Sequence, residues 1–176
     1  MVEVNTTKSE IYLITGFMAS GKSYSGRKLA SELSYRFVDL DDVVEASAKK
    51  TIPEIFSEQG EESFRQYETD CFEKLVVQNS ECLIIAAGGG FPTIARNQIA
   101  MKKVTVIFLD TDFEEICKRL NTSEINKRPL LQNSLQGIKK LYENRYRIYT
   151  KTADFIVHNY KELFILMNRL KGNKNE

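Results

Sequence analysis

The chain has 176 residues, 42% of them hydrophobic and 28% charged, with 9 Gly and 3 Pro; that suits one compact domain over residues 1–176 and excludes disordered and fibrous classes. Its 25 Lys and Arg against 24 Asp and Glu leave a net charge of +1, without the basic excess of a dedicated nucleic-acid binder. No apolar stretch approaches the roughly 18 residues that a membrane helix needs.

In chain order, Ile11–Thr15 ("IYLIT") is a short apolar run ending at a glycine, and Ser23–Leu33 carries Leu29, Ala30 and Leu33 on one side of a helix. "YRFVDLD" reads as a second strand ending in acids, and "LIIAAGGG" as a third, fully apolar strand ending in glycines. Between them, Thr51 and Glu54 are spaced as a capping box with Pro53 in the first turn, and Gly60 stands at a helix C-cap position, predicting a short helix over 52–58. Phe64, Tyr67, Cys71, Phe72 and Leu75 then mark one face of another helix. "KVTVIFLD" and "ADFIVH" supply strands four and five; Asp112 and Glu115 repeat the capping-box spacing before a helix with Phe113, Ile116, Cys117 and Leu120, and Leu163, Leu166, Met167 and Leu170 stripe the last helix. Buried strands alternating with helices predict a parallel α/β sandwich, with crossover helices on both faces. Residues 121–128 ("NTSEINKR") are the longest polar stretch inside the chain and read as a loop.

Gly16-Phe-Met-Ala-Ser-Gly21-Lys22-Ser23 satisfies G-x-x-x-x-G-K-[ST] in full, between a strand and a helix as the motif requires. In such a loop, backbone N–H groups turn onto phosphate oxygens at the positive end of the following helix. Gly16, Ala19, Ser20, Gly21, Lys22, Ser23 and Tyr24 are therefore the candidate nucleotide site, Lys22 reaching the β and γ phosphates and the Ser23 hydroxyl ligating magnesium. A switch GTPase would carry D-x-x-G and N-K-x-D, and the sequence holds neither. The class left is a small kinase that moves a γ-phosphate to a small acceptor.

Three places suit a polar, anionic acceptor. Asp39 and Asp41 end strand two, where alternate positions point both carboxylates into the crevice at the carboxyl end of the sheet; capping of a helix that begins near Asp42 is the competing reading. Gly88, Gly89 and Gly90 end strand three, where the missing side chains let a ligand approach the backbone or form only a loop. Ile138, Tyr142, Arg145 and Tyr149 share one helix face, so Arg145 points inward and needs an anion, supplied by a ligand or by a buried carboxylate. Arg65 follows Phe64 early in its helix, beside the apolar stripe; alone, such an arginine is more often a surface residue. Asp110, at the end of strand four, reads as a magnesium ligand or as part of the Asp112 cap.

"GFMASGKS", "FVDLDDVVE", "IPEIFSEQGEESFRQYE", "IIAAGGG", "KRPLL" and "LYENRYRIYTKTAD" together resemble the shikimate kinases in order and spacing over most of residues 11–157. The resemblance implies a three-layer, P-loop NTPase-like sandwich on a five-stranded parallel sheet, of the adenylate and shikimate kinase type. It implies transfer of phosphate from MgATP to the 3-hydroxyl of shikimate, on the way to chorismate and the aromatic amino acids. By position, Asp41, Arg65, the Gly88–Gly90 backbone and Arg145 would hold shikimate, the arginines taking its carboxylate and Asp41 its hydroxyls. Asp41 would also accept the hydroxyl proton, and Asp39 would hold magnesium through water. Arg128 would reach the ATP phosphates from a lid over about 119–131, and Arg119 would lie against adenine; the acceptor segment would run over about 39–66.

The sequence departs from that family's pattern in Ala19 for a usual glycine, Tyr24 for a small hydroxyl residue, Arg147 for a common proline and Lys151 for a common acid. The usual basic residue near adenine is not evident in "VHNYKEL". Competing readings are a kinase for gluconate or a nucleotide, and an ATP-binding regulator without chemistry. Cys71, Cys82 and Cys117 are odd in number and form no C-x-x-C pair, and the start has no apolar signal core. A monomeric cytoplasmic enzyme, binding ATP and shikimate but neither nucleic acid nor membrane, is the expectation.

Overall fold

The computed structural model describes residues 10–123 and 135–172. Five parallel strands, β1 (Ile11–Thr15), β2 (Arg36–Asp39), β3 (Leu83–Ala86), β4 (Thr105–Leu109) and β5 (Phe155–Val157), form one sheet in the order β2-β3-β1-β4-β5. β1 lies at the centre, with Leu13 opposite Ile85 on one side and Val106 on the other. Every residue of β1 and β3 is buried, which is why both read as unbroken apolar runs rather than alternating ones.

Alternate side chains leave the strands for opposite faces. Tyr12, Ile14, Ile84, Ile107 and Leu109 meet α1 (Lys22–Leu33) and α7 (Tyr160–Gly172) through Leu29, Ala30, Leu33, Leu163 and Met167. On the other face, Ile11, Leu13, Leu83, Ile85 and Val106 meet α2 (Leu40–Ala48), α3 (Ile52–Gln78) and α4 (Ala95–Met101). Beside that second cluster, Phe17, Met18 and Phe108 pack with α5 (Phe113–Ser123) and α6 (Leu135–Thr152) through Ile116, Leu120, Ile138 and Tyr149. The chain leaves β1 through α1 on the first face and β3 through α4 on the second, so a crevice opens at the carboxyl ends of the central strands.

Three local outcomes differ from the sequence expectation. At Gly60 (φ 81°, ψ 172°) the backbone leaves helical geometry, as the C-cap reading expected, so the helix begun at the Thr51 capping box is short; what differs is that a second helix follows across the kink with no loop between, the two running together as α3 to Gln78. Nothing lies within 4 Å of a Cβ placed on Gly60, so the break comes from glycine's own backbone freedom. β2 stops at Asp39 and α2 begins at once at Leu40. The polar stretch expected to be loop from Asn121 is still helix at its start, since α5 runs to Ser123.

Candidate active site

The phosphate loop is shaped by contacts that only particular residues allow. Gly16 has φ 150°, and a Cβ there would lie 2.7 Å from the Leu109 carbonyl oxygen, so any side chain would collide with β4. Three carbonyls of the loop are held from behind. Lys22 Nζ donates to Phe17 O at 2.8 Å, Arg119 Nη1 donates to Ala19 O at 3.1 Å and Ser20 O at 3.0 Å, and the Thr111 hydroxyl donates to Ser20 O at 2.9 Å. With those oxygens occupied, the loop amides and the first turn of α1 form an anion-binding concavity. Ser20 Oγ is buried there and makes no hydrogen bond among the described residues. Ser23 and Tyr24 are exposed in the first turn of α1.

Ala19 sits at φ 59°, in the left-handed region that favours glycine. The departure from the family's glycine therefore falls at a position where the missing methyl group has a conformational reason.

The candidate acceptor residues converge on the glycine tract that follows β3. A Cβ on Gly88 would lie 3.1 Å from Glu68 Oε1 and 3.3 Å from Asp41 Oδ1; one on Gly90 would lie 2.6 Å from Arg65 Nη2. The missing side chains at Gly88 and Gly90 thus make room for two carboxylates and a guanidinium. One on Gly89 would lie 3.3 Å from both Gly16 O and Met18 N, so the tract also runs beside the phosphate loop. From the far side, the Tyr149 hydroxyl donates to Gly89 O at 2.6 Å, and Arg145 hydrogen-bonds that same hydroxyl. Ile138 and Tyr149 are buried with Arg145 half-buried between them, as the helix-face spacing predicted.

Asp39 and Asp41 do not both end a strand. Asp39 is the N-cap of α2 and accepts the Asp41 N–H at 3.2 Å, which is the capping alternative; Asp41, the second residue of the helix, turns its carboxylate toward Gly88. The reason is local: an N-cap acid satisfies the orphan donors of the first turn. Asp110 accepts hydrogen bonds from the hydroxyls of Tyr142 (3.5 Å) and Tyr146 (3.3 Å) and faces His158 Nδ1 at 3.5 Å, so it ties α6 to the ends of β4 and β5. Arg119, expected against adenine, donates to the loop carbonyls of Ala19 and Ser20 and so lies at the edge of the phosphate loop. Arg128 and the greater part of the lid segment lie outside the described residues.

Sequence reasoning missed Glu68. Its side chain is 0% exposed and its Oε2 accepts from Arg65 Nη1 at 2.5 Å, while Arg65 Nη2 donates to Glu61 at 2.9 Å. Glu68 Oε1 accepts no hydrogen bond among the described residues and faces Gly88. Burial pushes the Glu68 carboxyl up to about 7 against the pull of Arg65, with Asp41 adding to the rise and Arg145 opposing it. The signal was present: Glu68 stands at i+4 from Phe64 and four before Phe72, on the apolar stripe where a carboxylate has no reason to be without a partner.

A sequence profile of the shikimate kinase family matches residues 18–168. The chain is similar to shikimate kinase from Persephonella marina, 38% identical over 163 residues that cover 92% of this chain and 96% of the relative. It is also similar to shikimate kinase from Clostridium beijerinckii, 37% identical over 165 residues covering 93% and 94%. Among solved structures, shikimate kinase from Acinetobacter baumannii in complex with shikimate superposes with a TM-score of 0.81 at 30% identity, covering 93% of each chain. Shikimate kinase from Aquifex aeolicus gives 0.78 at 34% identity, covering 93% of this chain and 98% of that one.

Proposed function

Because this chain belongs to the shikimate kinase family, we propose that its phosphate loop and glycine-tract cradle are the two halves of one active site. The reaction is transfer of the γ-phosphate of ATP to the 3-hydroxyl of shikimate, giving shikimate 3-phosphate and ADP. The observation that carries the assignment of residues is that a Cβ on Gly89 would lie 3.3 Å from Gly16 O and Met18 N, while on its neighbours Gly88 and Gly90 it would meet Asp41, Glu68 and Arg65. A donor phosphate on the loop and an acceptor on the tract are then adjacent.

Arg65 and Arg145 take the shikimate carboxylate, a planar anion that suits guanidinium forks. Asp41 and the Gly88–Gly90 backbone take its hydroxyls. Asp41 accepts the proton of the attacking hydroxyl, since it is the carboxylate of the cradle on the helix that borders the tract. The transition state of phosphoryl transfer is loose, so the chain's work is positioning and charge neutralisation. Lys22 leaves the Phe17 carbonyl for the phosphates, and Arg128 adds a second positive charge. The oxygen donors present, the exposed Ser23 hydroxyl and the half-buried Asp39 carboxylate, suit Mg2+, which keeps several waters and shares phosphate oxygens. Bound there with ATP, the ion neutralises phosphate charge.

A monomer of one domain in the cytoplasm is part of the proposal. Three free cysteines are consistent with a reducing compartment, and sedimentation at working concentration tests the monomer. Among the described residues, no helix is long and apolar enough to cross a membrane.

ADP release measured with shikimate, gluconate and nucleoside monophosphates as acceptors tests the reaction. Turnover with shikimate alone is expected; equal turnover with gluconate or with a nucleotide defeats the acceptor assignment. Asp41→Asn at saturating substrates separates chemistry from binding. A fall of about 10²-fold or more in kcat is expected of a lost general base, and near-normal kcat leaves Asp41 a binding group only.

A further inference from the structure

Tyr24 follows Ser23 in the first turn of α1 and is 71% exposed, at a place where the loop's function calls for no large ring. Tyr24, Lys28 and Glu32 stand at i, i+4 and i+8 and so form one stripe along α1. The two later members meet Tyr160, the first residue of α7: Lys28 Nζ lies 4.2 Å from the Tyr160 ring centroid, and the Tyr160 hydroxyl donates to Glu32 Oε2 at 2.6 Å. Tyr24 continues that stripe toward the phosphate loop, and it is near enough to Tyr160 to add to the upward shift that burial and Glu32 give its phenol.

A second flat group borders the same rim. Arg119 Nη1 would lie 3.1 Å from a Cβ on Gly21, and its guanidinium is fixed from behind by the carbonyls of Ala19 and Ser20 and by Glu115 Oε1 at 3.2 Å. Gly21 is the N-cap of α1, three residues before Tyr24, which lies in the first turn. The held guanidinium, at the N-cap, and the open phenol ring, in the first turn, thus both stand at the N-terminal end of α1, where the loop enters the helix.

We infer that the Tyr24 ring is the stacking platform for the base of a purine nucleotide whose phosphates occupy the loop, with the Arg119 guanidinium beside it. This rests on the nucleotide reading of the loop given above. Stacking on a ring tolerates any base but gains with the area of the π-face. Tyr24 therefore discriminates purine from pyrimidine nucleotides and leaves ATP and GTP undistinguished.

Calorimetric titration of the Mg2+-supplemented enzyme with ADP, CDP and inorganic tripolyphosphate, in wild type, Tyr24→Phe and Tyr24→Ser, tests it. Position 24 is exposed, so both variants are expected to fold. Tyr24→Ser is expected to weaken ADP about tenfold, to shrink the preference of ADP over CDP, and to leave tripolyphosphate within about twofold of wild type. Tyr24→Phe, which keeps the ring, is expected to bind ADP like wild type. An unchanged ADP affinity in Tyr24→Ser overturns the inference, and so does an equal loss for ADP and tripolyphosphate, which would assign Tyr24 to the loop's shape. Lys22→Ala must weaken both ligands; if it weakens neither, the nucleotide reading of the loop fails, and the role of Tyr24 fails with it.

Discussion

The phosphate loop and the proposed acceptor cradle lie side by side at Gly89, yet they are built in opposite ways. The loop is one continuous run from Gly16 to Ser23, and much of its shape comes from its own backbone: Gly16 against Leu109, Ala19 and Gly21 at positive φ, Lys22 folded onto Phe17. The cradle draws single residues from α2, α3, the tract after β3 and α6, and its charges hold one another in place, Arg65 on Glu68 and Glu61, Arg145 on Tyr149. A site of the first kind should lose chemistry when its key residue is removed while the remainder keeps its form. A site of the second kind should pass a loss on to its neighbours.

The largest expected effect is in the loop. Lys22→Ala removes an ammonium aimed at the migrating phosphoryl group, and kcat should fall about 10³-fold, roughly 4 kcal/mol of transition-state stabilisation. The affinity for shikimate, measured by equilibrium binding, should stay close to wild type; a matching loss there would mean that the two halves are not separable. Arg145→Ala comes next, in the cradle. A charge-assisted hydrogen bond is worth about 1.5–3 kcal/mol, so KM for shikimate should rise roughly 10- to 100-fold. ADP affinity should be unchanged, and a drop in it would show that Arg145 serves the loop through Tyr149 and Gly89.

The same contrast explains what the sequence made legible. The loop and all five strands could be read because their signals are contiguous: an eight-residue motif and apolar runs bounded by polar residues. Arg145 could be read from helix spacing, because Ile138 and Tyr149 on its face are both buried. Asp39 and Asp41 were misassigned to one strand end because a strand of four residues passes straight into a helix, and the N-cap acid looks like the strand's last residue. Glu68 escaped because its meaning depends on Gly88, twenty positions away, and on Asp41 from another helix. Pairings between separate elements leave no local trace. Arg119 shows the same limit, since its partners are carbonyls of a loop a hundred positions earlier.

Glu68 gives a smaller effect with a definite sign. Its folded-state carboxyl, pushed up to about 7 by burial, lies above the ordinary value of 4.5, so the folded chain binds a proton that the unfolded chain releases between those two values. Stability from this group is therefore full below about pH 4.5 and declines as pH rises toward 7. Glu68→Gln removes that titration. Urea unfolding across this window should show wild type losing more stability with rising pH than the variant, and parallel curves would mean that Arg65 keeps Glu68 ionised throughout. Because Arg65 also loses a charged partner in the variant, its hold on the shikimate carboxylate should change as well, which is the coupling expected of the cradle and not of the loop.

Ala19→Gly should have the smallest effect, and it asks whether the loop's shape is set by residue choice or by its anchors. At φ 59° an alanine carries about 1–2 kcal/mol of strain, which glycine relieves. Against this, glycine makes the unfolded chain more flexible, at a cost of about 0.4–1 kcal/mol. Relief should exceed the entropy cost, so the urea midpoint should rise by an amount worth about 0.5–1 kcal/mol, with an unchanged slope. ADP affinity should move by less than about twofold, because Arg119 and Thr111 hold the carbonyls of residues 19 and 20 whichever residue occupies position 19. If stability rises while ADP affinity falls well beyond that, the strained alanine is holding the amides in their binding orientation, and the loop depends on its side chains as much as the cradle does.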